Sequence, residues 1–449
     1  MMLHHITKLT THFKPSHHAF STAITPATPL MAGMKVIELA NVLAGPTVCQ
    51  FLAELGADVI KIENTTTKGD VTRTWRLSND LPDSSVTAYF SCCNLGKQSV
   101  ALDLRDPRGL HIIHQMIKDA DVVVASYKPG DAEKLKVDYK TLAQINPTLV
   151  YAQITGYGLN DSRAGYDAVI QAESGFQYIN GEPEPAPPTK MPVALMDLLA
   201  AHQLKEGILT SMWRKERDGV GNFVSVSLMS AGVSALANQA TGYLKTNTLP
   251  VRIGSDHPSI CPYGTVFQCK DNGLITLAIG SDKQFSHLCQ VLNIPNISLD
   301  TKYSTNPKRV ENRTECKNII KNEILKFNRL ELLNELNINA VPAGGVNDMK
   351  DVFKQPQAER LVVRNSDGAA LGIRQIAYVN NSSHTEDDDD LDDEAVIGDA
   401  KDITITTSKD NVSLLPPPEY AEHTIEVLEQ YLDSNEIENL IQEGVIEQR

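Results

Sequence analysis

The sequence predicts an α/β protein: a parallel β-sheet with helices on both faces, joined to a second, smaller α+β domain. Three observations predict it. From Met34 onward, short strand-like runs alternate with helical stretches, the β-α-β rhythm of a parallel sheet. The run DVVVASY (121–127) is β-branched and apolar, as a strand covered on both faces must be. Beyond Pro262 the rhythm gives way to a hairpin and then to helices.

In order, MKVIELA reads as a strand, AGPTVCQFLAELG as a helix opening at Gly45–Pro46, and ADVIKIE as the next strand. SVALDL is a short strand, DPRGLHIIHQMIKDA a helix after an Asp–Pro start, and TLVYAQITGYG a strand ending on glycine. A long apolar helix is expected from Asp197 to Lys215, with GNFVSVSLM as a strand leading out of the domain. Residues 230–250 read as a helix and linker. YGTVFQCKDNGLITLAIG reads as a hairpin turned at Asp271–Asn272–Gly273. Helices follow over Asp282 to Leu292 and Arg309 to Asn337, then VPAGGVNDM as a strand and turn before a helix at Asp351. The last segment gives strands near Gly372 to Asn380, an acidic loop, a helix from Tyr420 to Leu432, and a small helix in EIENLIQEGVIEQ. The expected division is a leader (1–33), a large α/β domain (34–229), a linker (230–255), a small α+β domain (256–350) and a C-terminal segment (351–449) with a mobile acidic loop (384–399). No internal repeat is present.

At 449 residues the chain is long enough for two or three domains, and 41% hydrophobic with 22% charged residues is ordinary for a globular protein. A net charge of −15 argues against nucleic acid or an anionic membrane as a partner. Part of that charge is local, because Glu386 to Glu394 holds eight acids in nine residues. A local basic pocket for an anion therefore remains compatible with the total. Seven cysteines, odd in number and without CxxC, read as reduced thiols, and no metal site is expected. No apolar run approaches the roughly 18 residues that span a bilayer. The first 33 residues contain no Asp or Glu, are rich in Thr, Ser and His, and repeat Leu3, Ile6, Leu9 and Phe13 at helical spacing. They read as a mitochondrial transit peptide, with a disordered tail as the alternative.

Two nucleotide signatures are missing. The turn after the first strand reads ANVLAGPT rather than GxGxxG, and no GxxxxGK[ST] occurs, so nicotinamide, flavin and P-loop chemistry are disfavoured. The Gly45–Pro46 turn still offers free amides at a helix start, suited to an anionic or carbonyl group. AGYDAVIQAESG (164–175) and PVALMDLLAA (192–201) carry the most chemistry. They place Asp197 at a predicted helix start, with Tyr166 and Asp167 on a segment folding back towards it. A carboxylate there serves either as a helix cap or as an ionised nucleophile.

Several strings in order resemble the class III coenzyme A transferases, the family that includes formyl-CoA and carnitine-CoA transferases. They are ELANVLAGP (38–46), LGADVIKIE (55–63), GDVTRTW (69–75), ITGYG (154–158), AGYDAVIQAESG and LMD (195–197). RIGSDHPSICPYG (252–264) and the ending LIQEGVIEQ are similar to the mitochondrial succinyl-CoA:glutarate (or hydroxymethylglutarate) branch. The resemblance implies a large Rossmann-like domain built from N- and C-terminal parts, a smaller middle domain and an interlocked homodimer. It also implies CoA as a substrate rather than a permanently bound cofactor.

By the same resemblance Asp197 matches the nucleophile that forms an acyl anhydride and then a CoA thioester. Backbone amides near Leu43 and Ala44 match the oxyanion donors, although formyl-type members carry glutamine where this chain has Leu43. Leu102, Ser126 and Lys134 match CoA contacts, with Trp75 and Tyr89 along the pantetheine channel; core packing for Leu102 and Tyr89, and a solvated charge for Lys134, are the alternatives. Tyr166 and Asp167 fall at the acyl site. GSDHPS (254–259) replaces the family's glycine loop, so Asp256 and His257 become gating candidates. Arg252 is a candidate for a distal carboxylate, with an exposed rim arginine as its alternative.

Two rival readings stand beside this one. A 2-methylacyl-CoA racemase of the same fold would carry histidine at Tyr166, and no histidine occurs from Gln115 to Ala201. A catalytically silent CoA-binding protein is the other, motivated by Leu43, the altered loop and the acidic insertion.

Overall fold

The computed structural model describes residues 29–378 and 414–449, so the leader to residue 28 and the acidic run Glu386 to Glu394 lie outside the described residues. Strands β1 (Lys35–Leu39), β2 (Asp58–Glu63), β3 (Lys97–Leu102), β4 (Val122–Ala125), β5 (Val150–Thr155) and β6 (Asn222–Ser227) pair in parallel, in the order β3-β2-β1-β4-β5-β6. GNFVSVSLM thus supplies a paired edge strand rather than an exit from the domain, because β6 runs in register along β5 from Val150↔Asn222 to Thr155↔Ser227. Strand order reverses between β1 and β4, which opens a crevice beyond their carboxyl ends where ligands of such sheets bind.

The period of two sorts each strand between two cores. Val36 packs with Val48, Leu52, Val124 and Leu204 on one face, while its neighbour Ile37 packs with Val100, Ile113, Met116 and Val123 on the other. Three helices position the site. α1 (Ala44–Glu54) follows β1 and is buried along its whole length. It opens at Ala44, so Pro46 is its third residue, where a missing N–H still costs the helix nothing. α2 (Asp167–Glu173) follows β5, and α3 (Leu195–Asp218) ends at Gly219 in the left-handed conformation, φ 69°. α3 begins two residues before the sequence expectation and runs three residues past it.

The smaller domain is built on β7 (Tyr263–Gln268) and β8 (Leu274–Ala278), an antiparallel hairpin with Asn272 at φ 63°, extended by β9 (Ala343–Gly345). Phe267, Ile275, Leu277, Phe285, Leu288, Ile320, Leu332 and Leu336 form its core. The single helix expected over Arg309 to Asn337 is instead Asn306–Glu311, Arg313–Ile324 and Arg329–Ile338. The breaks fall at Asn312 and Asn328, a residue type that leaves helices readily. Where residues 230–250 were read as a helix and linker, two consecutive helices run, Leu228–Ala235 and Ala237–Thr246.

The chain then returns to the large sheet. β10 (Val362–Arg364) and β11 (Ala370–Ile373) form a short antiparallel pair, earlier than expected. The helix expected over Tyr420 to Leu432 shrinks to Thr424–Leu428. EIENLIQEGVIEQ is not one helix: Ser434–Gln442 is helical, and β12 (Ile446–Glu447) lies antiparallel against β3 with Ile446 opposite Leu102. N- and C-terminal parts therefore share one seven-stranded sheet, as the resemblance implied. No described helix is long and apolar enough to cross a membrane.

Candidate active site

The turn from β1 to α1 sits at the strand-order reversal, and buried charge fixes its shape. Glu38 on β1 lies directly beside Lys61 on β2, and both are fully buried. Lys61 Nζ donates to Glu38 Oε1 at 2.7 Å and to the Ala40 carbonyl at 2.8 Å, and lies 3.0 Å from Asp70 Oδ2. Lys97 Nζ on β3 is 2.7 Å from Glu38 Oε2 and donates to Asn94 Oδ1 and the Pro46 carbonyl. Burial alone would raise the Glu38 carboxyl, but the two ammonium groups hold it below the usual range. Burial likewise opposes charge on Lys61, and Glu38 with Asp70 outweighs it, raising the ammonium's pKa.

Asp70 uses this anchorage to hold the turn. It accepts the Val42 N–H at 3.1 Å and the Thr72 N–H at 3.0 Å. Val42 is β-branched yet sits at φ 73°, a conformation costing about 1–3 kcal/mol that persists only where surroundings impose it. Ser126 Oγ accepts the Asn41 N–H at 3.2 Å, and the Cys93 thiol donates to the Val42 carbonyl at 3.4 Å. Leu43 caps α1 without a side-chain bond, and the Ala44 and Gly45 amides that follow take no hydrogen bond among the described residues. The sequence reading placed the oxyanion donors near Leu43 and Ala44, and this pair overlaps it at Ala44.

Asp197 is the third residue of α3 and is half-buried. It does not cap its helix. Ala194 is the N-cap, and the Met196 N–H is taken by Asp167 Oδ1 at 2.8 Å, from α2. The capping role thus belongs to Asp167, and the Asp197 carboxyl is left for other work. The helix start was expected to keep Asp197 ionised; instead burial, and then the Asp167 charge, push its pKa up to about 7. The first turn's positive dipole is outweighed by desolvation and a like charge.

Tyr89 joins this corner. Its phenol is pushed above the ordinary tyrosine value by burial first, then by Cys92, Asp197, Cys93 and Asp167, so it stays protonated and able to donate. Trp75 meets Tyr89 edge-on, with ring centroids 4.9 Å apart. Tyr166, the N-cap of α2, is 65% exposed.

Beyond β3 and β4 lies a cleft of about 660 Å³, lined by Leu104, Arg105, Tyr127, Lys134 and Lys136 among others. Lys134 stands there paired with Asp131 at 2.7 Å. Leu102, expected as a CoA contact, has its side chain sealed in the core; the neighbouring Leu104 and Arg105 face the cleft instead. Arg105, Tyr127 and Lys136 were missed by sequence reasoning. For Arg105 and Tyr127 the signal was a basic or aromatic residue just past a strand's carboxyl end, in LDLRDP and VASYKPG; Lys136, beyond the short helix Asp131–Lys134, carried no such signal.

Arg252 is neither a free carboxylate ligand nor an exposed rim charge. Its guanidinium donates to the Glu182 and Ala186 carbonyls at 3.2 and 3.0 Å, and its side chain is only 7% exposed. It staples the 178–186 loop. Asp256 is tied to Thr265 and Lys317 within the smaller domain, while His257 Nδ1 accepts the Ser259 N–H at 3.1 Å and its ring meets Tyr263.

A parallel sheet reversed at β1/β4, an amide-bearing turn there and a half-buried carboxylate make up the candidate site of this α/β fold. The model of CoA-transferase family III matches residues 31–390, and the chain belongs to that family. It is 38% identical to the succinate–glutarate CoA-transferase of Agrobacterium fabrum, over 77% of this chain and 88% of that one. To the human succinyl-CoA:glutarate CoA-transferase it is 33% identical, over 93% and 90%. The acetyl-CoA:oxalate CoA-transferase of Acetobacter aceti is 33% identical over 78% and 90%. Among solved structures, a CAIB/BAIF family protein from Brucella suis superposes with TM-score 0.72 at 32% identity, covering 90% of this chain and 99% of that one.

Replacing Lys61 by methionine leaves Glu38 and Asp70 buried with too little positive charge. It should cost about 3–5 kcal/mol, read as a lower denaturant midpoint, and a loss under about 1 kcal/mol would refute the anchoring role. The raised Asp197 value gives two pH expectations. Activity that needs the carboxylate should climb as pH rises through about 7 and then level off. A folded-state pKa above the ordinary value also means that Asp197 favours the fold only while protonated. Its contribution is complete below 3.8 and lost as pH rises through about 7. Asp197→Asn should therefore raise Tm at about pH 8 and leave it unchanged at about pH 4; equal Tm shifts at both would contradict the assignment.

Proposed function

We propose that the protein moves CoA from an acyl-CoA, succinyl-CoA in the first instance, to a dicarboxylic acid, with Asp197 as nucleophile. The Asp197 carboxylate attacks the thioester carbonyl, the C–S bond breaks, and an aspartyl acyl anhydride and CoA thiolate result. The thiolate attacks the aspartyl carbonyl, releasing the donor carboxylate and leaving an aspartyl-CoA thioester. The acceptor carboxylate attacks that thioester, expelling CoA thiolate, which then takes the acceptor's acyl carbon and frees Asp197. Every step exchanges one acyl bond for another, so thioester energy is conserved when water is excluded.

The observation that carries this reading is the separation of the two carboxylates: Asp167 is committed to the Met196 N–H, while Asp197 has no hydrogen-bonded partner among the described residues and an elevated basicity. The free amides of Ala44 and Gly45 suit a tetrahedral oxyanion, and the neutral Tyr89 phenol suits a thiolate or carboxylate oxygen beside them. Arg105, Lys134 and Lys136 suit the CoA phosphates, with Tyr127 for the adenine. CoA enters only as substrate. The substrate assignment leans on relatives named for succinate, glutarate and mesaconate. Exposed Trp213, Tyr243, Leu244 and Val251 suit burial against a second copy, in keeping with an interlocked homodimer. The acid-free leader supports mitochondrial delivery, which a fusion of residues 1–33 to a reporter tests; a purely cytosolic signal removes it.

Asp197→Ala should abolish CoA exchange while CoA binding changes by less than about threefold. Hydroxylamine added with succinyl-CoA should convert Asp197 to its hydroxamate, seen by mass spectrometry. Exchange near the wild-type rate in Asp197→Ala would sink the nucleophile. A panel of donors against mono- and dicarboxylic acids then ranks the substrates.

A further inference from the structure

Behind the nucleophile lies a glutamine that no step of the scheme uses. Gln171 is on α2, four residues beyond Asp167, and is fully buried. Its Oε1 accepts the Met191 N–H at 2.7 Å, and its Nε2 donates to Asp167 Oδ2 at 2.8 Å, with the Met191 and Val193 carbonyls at 3.4 and 3.3 Å. These partners fix the amide's orientation. A flipped amide would set its NH₂ against the Met191 N–H and its oxygen against a carboxylate and two carbonyls.

The bonds form a continuous chain. Gln171 holds the loop at Met191 and Val193, and it also holds Asp167, whose other oxygen takes the Met196 N–H at 2.8 Å. The segment 191–196, which delivers the chain into α3, is thus tied to α2 at both ends by one amide and one carboxylate. Met196 has little freedom otherwise: its sulfur receives the Ser174 hydroxyl at 3.8 Å, and a Cβ on Gly232 would lie 2.7 Å from it. Asp197 is the next residue.

We propose that Gln171 is a positioning residue for CoA transfer, locking Asp167 onto the first turn of α3 and thereby fixing Asp197 for attack. This rests on Asp197 being the nucleophile. Gln171 touches neither substrate nor reacting atoms; it removes the freedom of Asp167 to rotate off the Met196 amide. Misplacement of a reacting group by about 1 Å costs up to about a hundredfold in rate.

Among the described residues, these ionisable groups bear on the amide and its partners. Asp167 shares its helix, Asp197 comes from α3, and Tyr89 from the helix Ala88–Ser91. Lys190 donates to the Met191 carbonyl at 2.9 Å from the solvent side.

Two variants test the proposal. Gln171→Met keeps the volume and removes both bonds; kcat should fall about 10- to 100-fold, with the KM for acyl-CoA within about threefold. Gln171→Glu gives a sharper signature. While protonated, the introduced carboxyl can donate to Asp167 and still accept the Met191 N–H, so the chain is rescued. As pH rises the proton leaves and two adjacent carboxylates repel. Gln171→Glu should therefore show an alkaline fall in kcat that wild type lacks, because glutamine does not titrate. A kcat for Gln171→Met within about twofold of wild type, or a Gln171→Glu profile shaped like wild type, overturns the proposal. If Gln171→Met does not fold, the Gln171→Glu profile decides alone. Asp197→Ala run in parallel separates the two readings: retained exchange there removes the nucleophile, whereas a dead Asp197→Ala with no alkaline fall in Gln171→Glu removes only the positioning role.

Discussion

Four buried charges, Glu38, Lys61, Lys97 and Asp70, set the shape of the turn at the candidate site. The first three come from neighbouring strands of one parallel sheet, and the fourth from the loop that follows β2. Taking each ion out of water costs several kcal/mol, and such groups repay it only with close, well-directed partners. An apolar core of similar volume would be as stable. What it would not supply is an acceptor for the Val42 N–H, or a cation on the Pro46 carbonyl. The cluster holds a valine in a left-handed conformation, and two helix-start amides beside it have no partner among the described residues. Sheet geometry, turn strain and free donors are consequences of one constraint.

A second arrangement divides labour between two carboxylates. Asp167 and Asp197 lie on different helices, close enough for one to raise the other's pKa. The cap taken by Asp167 relieves Asp197 of any structural duty. The burial that makes Asp197 more basic would also sharpen it for the proposed role of nucleophile once ionised. Environment, rather than residue type, assigns the roles. Gln171 couples the two helices, so the division survives only while its amide faces the right way.

Much of this was readable from the chain alone. Strands β1 to β5 of the large sheet were visible in short apolar runs, β-branched most clearly in β4, and Asp197 in its motif. Other features were not. Arg252 looked available because a sequence shows a guanidinium but not the carbonyls of a loop some seventy residues earlier. Leu102 looked like a ligand contact because a motif position does not reveal which face of the strand it occupies. Arg105, Tyr127 and Lys136 went unnoticed because the cleft they share is assembled from two strand ends that meet only when the sheet forms.

By itself the sequence determined the secondary-structure rhythm, the parallel sheet and the identity of the acidic residue at the head of α3, because these depend on local periodicity and residue chemistry. Tertiary structure decided the rest. It gave the cap to Asp167 rather than Asp197, placed the C-terminal β12 against β3, and raised the Asp197 pKa where the helix start alone would lower it. The physical reason is common to all three. Desolvation and like-charge repulsion depend on which groups surround a carboxylate, and β-pairing on which edge is free, and both are set by distant parts of the chain.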